Sequence, residues 1–372
     1  MINQSRLYLP GLNGLRALAA ISVMLSHVFQ NTFGNWGIPT IKLPLFDGGV
    51  TLFFVISGFL ITYLLLHEKS KTQTINIKYF YVRRILRIWP IYYLIILISI
   101  IILYLKGQSG EIIQSNLWYY IFFTANIPFL SASGISLIVH YWSLGVEEQF
   151  YMFWPWLVKV SGKKILYIAL GFMAFWIACK YGSWIVFSNK SLIYRFFAVT
   201  AFHNMMIGAV GAIFFYNKNF RFMHLLTNRY VQIISWSLLL LSGFYIEFLP
   251  AVFRNEFIAV ISLILVIGQV EGTKSFYSLE YNFFDFIGKI SYGIYLFHPL
   301  IIYLLSWIWR TNLSERLNLR FQYPIIYLLV SVITVLVAWI SFKYYETPFL
   351  RLKERFAIVK SNNSIRKEER SI

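Results

Sequence analysis

The sequence has almost no cysteine and little charge. Cys179 is the single cysteine among 372 residues and lies in an apolar run, so no intrachain disulfide can form. No Cys/His cluster has the spacing of a zinc site, and neither redox chemistry nor a bound metal is expected. Charged residues make up 13% of the chain, against about 25% in a soluble domain. Hydrophobic residues make up 58% and aromatic residues 20%, and the mean hydropathy is +0.63. These values exclude a soluble globular enzyme. No repeat of roughly 20 to 50 residues stands out, nor any inverted pair of interrupted helices of the kind many transporters carry. A G-x-S-x-G elbow is also missing, so a serine nucleophile of that type is not indicated. Acidic residues are scarce: 15 against 33 Lys and Arg leaves a net charge of +18. Basic residues that border apolar spans record membrane orientation, so no nucleic-acid partner is expected.

What is abundant is apolar sequence in runs that match a hydrocarbon core about 30 Å thick. Ten spans are expected, near 12–30, 49–66, 89–105, 140–158, 165–180, 194–216, 230–247, 251–270, 288–309 and 324–345. The fold class is therefore all-α, a polytopic transmembrane helical bundle. The stretch LWYYIFFTANIPFL, from Leu117 to Leu130, contains Pro128 and has only 14 residues; it reads as interfacial or re-entrant. With the N-terminus inside, the inner segments hold 22 Lys and Arg, the outer connections six, and the spans themselves five. Both termini are accordingly expected to be cytoplasmic. Arg310, Arg316 and Arg320 in the last outer loop run against the rule. The first apolar segment carries Arg16 and His27 and lacks an A-x-A type cleavage signal, so it is expected to stay in the mature protein. Residues 1–350 are read as the membrane domain. The charged segment 351–372 is read as a cytoplasmic tail, solvated or lipid-facing and too short for a second catalytic domain.

An ionisable group in a spanning helix costs about 2.5 kcal/mol or more, so each one is a functional hypothesis. Arg16 and His27 are eleven residues apart, close to three helical turns, which puts them on one face about 16 Å apart along the axis. They read either as a snorkelling arginine and a satisfied interhelical histidine, or as parts of a site. Arg83, Arg84 and Arg87, in YVRRILRIWP, read either as a positive-inside anchor or as a phosphate site, since guanidinium forks bind phosphate oxygens bidentately. The strongest anomaly is HYWSLGVEEQFYMFWPW, where Glu147 and Glu148 stand in an aromatic and apolar helix. Adjacent helical positions point about 100° apart, so the two carboxylates require separate partners. His27 falls about 8 Å and Glu147 about 10 Å below the outer face, so the two can meet, the other reading being a carboxylate that holds helices together through Tyr, Trp or Arg. Tyr292, Tyr295 and His298, in ISYGIYLFHPLII, read first as structural polar groups, with Pro299 freeing a carbonyl one turn earlier. GGVTLFFVISGFL, with Gly48, Gly49, Ser57 and Gly58, reads first as close helix packing, and otherwise as room for a ligand arm.

Six elements in order carry a resemblance: Arg16 and His27 with ten residues between them, FFVISGFL at 53–60, Arg84 and Arg87 before Pro90, WSLGVEEQFY at 142–151, SYGIYLFHP at 291–299, and YYETP at 344–348. Together they resemble acyltransferase family 3, the polytopic O-acyltransferases of bacterial inner membranes and some eukaryotic membranes. The resemblance covers nearly the whole chain. It implies transfer of an acyl group, most often acetyl, from cytoplasmic acyl-CoA to a hydroxyl of a cell-envelope glycan or glycolipid at the outer side. His27 would be the catalytic histidine, Arg16 its motif partner, and Arg84 and Arg87, with Arg83 beside them, the acyl-CoA-binding arginines. Glu147 is the carboxylate paired with His27 in this reading, with Glu148 left open as the alternative. Ser57, Ser143, Glu148, Tyr292, Tyr295 and His298 would be supporting residues. No permanently bound cofactor is implied; acyl-CoA is a substrate. His27 would abstract the acceptor proton while Glu147 stabilises the imidazolium, with a covalent acyl-histidine as the open alternative. Some members carry a fused extracytoplasmic esterase-like domain; none is expected here, so the acyl group would go to the acceptor directly or through a separate extracytoplasmic transferase. The rival from another class is a secondary transporter or flippase for an anionic solute, in which the same residues line a pathway. The acceptor, the acyl length and the oligomeric state are not encoded legibly.

Overall fold

The computed structural model describes residues 7–30, 34, 36–37, 48–107, 117–245, 250–271, 277–312 and 318–359. The expected outer-loop cations Lys42 and Arg316, and the tail beyond residue 359, lie outside them. The described residues are helical, without an extended strand. The principal helices are α1 (Leu12–Phe29), α2 (Gly49–Thr72), α3 (Ile77–Leu105), α4 (Trp142–Ser161), α5 (Ile165–Phe187), α6 (Leu192–Thr200), α7 (Phe202–Tyr216), α8 (Arg229–Tyr245), α9 (Ala251–Glu271), α10 (Asn282–Lys289), α11 (Ser291–Asn312), α12 (Leu319–Ile340) and α13 (Thr347–Glu354). Seven stretches are long and apolar enough to cross a membrane, which makes this an integral membrane protein.

Every expected span falls on a helix, but several boundaries move. The link between the second and third spans shrinks to residues 73–76. Asn76, in extended conformation, accepts a hydrogen bond from the Tyr79 amide and starts α3 twelve residues earlier than hydropathy suggests. Arg83, Arg84 and Arg87 therefore stand on the helix itself rather than on a ledge before it. The expected span 194–216 is broken at Ala201, whose φ of 34° ends α6 and starts α7. The 117–130 stretch is also interrupted: Phe123 has φ 56°, and only the short helix Asn126–Leu130 follows.

Helix α1 packs against α2, α10 and α11, so its two polar positions face the interior of the bundle. The closest contact in the fold is between α2 and α7. A Cβ at Gly58 would fall on the Met205 carbonyl, and one at Gly208 on the Val55 carbonyl. The small residues are thus packing residues, as in close transmembrane crossings. Because the obstacle is backbone on both sides, Gly208→Val should destabilise the protein by about 3 kcal/mol. Thermal unfolding in detergent would show it as a lowered midpoint.

Polar groups also fasten α5, α7 and α9. Lys180 Nζ lies 2.6 Å from Glu256 and 2.7 Å from the Val252 carbonyl, and His203 Nε2 lies 2.9 Å from the same carboxylate. At its C-terminal end α12 passes through a π-helical turn, Ser341–Glu346, into α13. The segment from Arg351 onward is not simply solvated or lipid-facing, as composition suggested. The 350/351 boundary falls inside α13, α13 packs on α3, Arg83 donates to the Phe356 carbonyl at 2.8 Å, and the Phe356 and Tyr79 rings lie 5.5 Å apart.

Candidate functional site

One part of the site is built on α1 and α11. His27 Nδ1 lies 2.7 Å from His298 Nε2, with the two rings edge to edge, their centres 5.0 Å apart and their planes within 8°. His298 is fully buried, and its Nδ1 lies 3.1 Å from the Ile294 carbonyl. A third imidazole, His140 on the turn before α4, has its ring 5.4 Å from that of His298. Tyr295 and Ser143 support this turn: their hydroxyls are 2.6 Å apart, and both reach the His140 carbonyl, at 3.0 and 3.2 Å.

The expected contact between His27 and Glu147 is not made. Glu147 accepts a 2.7 Å hydrogen bond from Ser57. The reason is the packing order: α4 lies against α2 and α3, while the end of α1 that bears His27 meets α11. Equal expected depth does not fix which helix a side chain meets. Glu147 instead sits within electrostatic reach of Arg16 and Arg84. Glu148, about a quarter-turn away, faces Trp89 and Arg84 on α3, so the two adjacent carboxylates do find separate partners.

Deeper in the bundle the cations gather. Arg16 lies within electrostatic reach of Arg84, Arg87, Glu147 and Tyr151. The Arg84 guanidinium stands 5.6 Å from the Tyr151 ring centre and 5.8 Å from that of Phe80. Its Nε is buried with no hydrogen-bond partner among the described residues. Arg87 faces Arg84, Glu346 and Tyr292, and the Tyr292 hydroxyl is fixed on the Ile88 carbonyl at 3.2 Å. Lys353, on α13, completes the group, facing Arg87, Arg84 and Arg16. His27, Arg16, Arg84, Arg87 and Glu147 are partly rather than fully buried.

Arg83 stands apart. It makes a 2.8 Å ion pair with Glu68, whose side chain is 3% exposed, and its second nitrogen holds Phe356. This arginine locks α2, α3 and the segment after α13 together, and of the clustered cations it lies within electrostatic reach of Arg84. Breaking a buried pair by removing one partner costs about 3–5 kcal/mol. Because the Arg83 side chain is 15% exposed, Arg83→Ala should lower stability toward the bottom of that range, read as a lowered unfolding midpoint.

Sequence reasoning missed three of these residues. Glu346 lies inside YYETP, and Lys353 lies five residues beyond that motif. Both carried the signal of a charge beside an apolar span, but Lys353 was grouped with the tail. His140 opens the segment that holds the two glutamates, yet only the glutamates drew notice.

The sequence pattern of the acyltransferase domain matches residues 9–343. The chain is 30% identical, over 376 aligned positions, to the peptidoglycan O-acetyltransferase OatA of Listeria monocytogenes, covering 92% of this chain and 56% of that one. It is 26% identical to the O-acetyltransferase OatA of Staphylococcus aureus, covering 92% and 57%. The chain thus spans a little over half the length of the curated relatives it matches. No solved structure matches it. The match over residues 9–343 settles the kinship: the chain belongs to the acyltransferase family.

Proposed function

We propose that this protein is an O-acyltransferase that moves an acyl group, acetyl in the simplest case, from acyl-CoA on the cytoplasmic side to a hydroxyl of a cell-wall glycan on the outer side of a bacterial inner membrane. The observation that carries this reading is the convergence of Arg84 and Arg87 on α3 and Lys353 on α13 with Arg16, which stands on α1, the helix whose other end bears His27. Guanidinium groups in a low-dielectric cleft bind phosphate oxygens strongly, and the nucleotide of CoA is the polyanionic part of the donor. The carboxylates Glu147, Glu148 and Glu346 offset part of the cationic charge. The relatives named as O-acetyltransferases, one of them acting on peptidoglycan, favour an acetyl donor and a wall-glycan acceptor.

The chemistry balances without a further reagent. His27 takes the proton of the acceptor hydroxyl, the oxygen attacks the thioester carbonyl, a C–O bond forms and the C–S bond breaks. The proton then passes from the imidazolium to the departing thiolate, leaving an O-acyl glycan and free CoA. The separation of about 16 Å between Arg16 and His27 along α1 suits an extended pantetheine arm running between nucleotide and thioester.

Ten crossings with both termini cytoplasmic suit this direction. One apolar stretch, Ser136–Phe187, contains both α4 and α5 on either side of the turn at Gly162. Helix α1 and the 17-residue α8 fall just at the length a core of about 30 Å requires, and the inner excess of Lys and Arg orients the whole.

The direct experiment is release of free CoA thiol from acetyl-CoA by the protein in lipid, with and without an envelope glycan extract. Release should require both the donor and the extract. If folded protein releases no more thiol than His27→Ala with any fraction or acyl-CoA, a transport pathway replaces the transferase reading.

A further inference from the structure

We infer that His298 is a positioning residue for the transfer reaction: it holds His27 in the tautomer that carries the basic lone pair on Nε2, and it shares the proton that His27 acquires. The inference rests on the transferase reading for its kinetics but not for its geometry.

A carbonyl oxygen only accepts, so His298 Nδ1, 3.1 Å from the Ile294 carbonyl, carries a hydrogen. The Tyr295 carbonyl is a second backbone acceptor for the same ring, and Pro299 deprives it of its helical donor. In a neutral imidazole with hydrogen on Nδ1, Nε2 is an acceptor. The 2.7 Å contact to His27 Nδ1 must then be donated by His27, which leaves the His27 lone pair on Nε2. The orientation of the catalytic ring is thus written into the backbone of α11, through a histidine buried to 0% exposure. A buried carboxylate does this work in the Ser-His-Asp arrangement; in this site a second, neutral imidazole stands in that place.

When His27 Nε2 takes the acceptor proton, the Nδ1 proton can pass along the 2.7 Å contact to His298 Nε2. The positive charge then rests on His298, whose Nδ1 hydrogen stays on the Ile294 carbonyl. The charge is shared by two hydrogen-bonded rings, and returns when His27 gives up its Nε2 proton to the thiolate.

The test compares His298→Gln with His298→Phe. Gln places a carbonyl oxygen near the former Nε2 and can still accept from His27 Nδ1; Phe fills the space and accepts nothing. His298→Phe should lower kcat by about 10²- to 10⁴-fold, the range of general acid–base assistance, with the KM for acetyl-CoA unchanged. His298→Gln should recover most of that loss. In ¹⁵N-histidine spectra of the protein in lipid, the His27 signals should report hydrogen on Nδ1 in wild type and Gln variants and lose that preference in the Phe variant. Retained kcat in His298→Phe would overturn the inference. So would equal losses in both variants with an unchanged His27 tautomer, since that is the pattern of packing damage. Failure of the transferase reading shows separately, as wild-type protein without turnover, and the spectra then still decide the tautomer.

Discussion

His27→Gln should lower kcat for acyl transfer by about 10³-fold while leaving the KM for acyl-CoA within about a factor of three. Glutamine cannot take a proton at neutral pH, so the acceptor hydroxyl loses its base, and general-base assistance is worth about 10²–10⁴ in rate. The fold should survive, because the amide can still donate toward His298 Nε2 and the position is only partly buried. Donor affinity should survive because the cationic cluster lies about three turns away along α1. Single-turnover measurement of CoA release separates the two constants. An unchanged kcat with a raised KM would make His27 a binding residue and remove the base from the mechanism.

How far the sequence anticipated this site depends on the range of the interaction. Hydropathy located the helices, because burial against lipid is written residue by residue. It did not locate the break at Ala201, where a non-glycine residue adopts φ 34°; nothing in the local composition announces a left-handed alanine. The Asn76 cap was legible in principle, since Asn at a helix start is favoured, but the apolar window hid it. Arg16, Arg84 and Arg87 were found as charges where charge is costly, and the structure brings them together. Partners were another matter. His27 and His298 are 271 positions apart, and helical periodicity fixes a residue's face and depth without saying which helix it meets. Depth alone suggested Glu147 for His27; the lateral order of α1, α2, α4 and α11 assigns Ser57 to Glu147 and His298 to His27. Lys353 shows the same limit from the other side: a lysine within a charged run reads as solvated until α13 folds back on α3.

The double substitution Arg84→Met/Arg87→Met should raise the KM for acyl-CoA by about 100-fold or more, with kcat at saturating donor reduced far less. Hydrogen bonds to charged groups contribute about 1.5–3 kcal/mol each, and each 1.4 kcal/mol is a factor of ten in affinity; two adjacent groups do not add fully. Arg16 and Lys353 remain and keep some of the field, so binding weakens rather than vanishes. Methionine keeps the stem volume, so a loss of affinity is a loss of guanidinium rather than of packing. A binding readout independent of turnover is thermal protection: free CoA at about 100 times its dissociation constant should stabilise the wild type by about 2.7 kcal/mol, and should leave the double variant nearly unshifted at the same concentration. The two arginines also repel each other and lie within electrostatic reach of Arg16 and Lys353, so part of the stability of the unliganded fold is given up to hold four cations together. Replacing Arg84 alone relieves that repulsion, while Arg87 keeps Glu346 paired, Arg16 stays beside Glu147, and Glu148 keeps Trp89 and can hold a proton in place of the lost cation. The Arg84→Met protein should therefore unfold no earlier than wild type without CoA, yet bind CoA more weakly. An earlier unfolding midpoint with intact CoA protection would show instead that Arg84 is a structural cation, held in place by Tyr151 and the two glutamates.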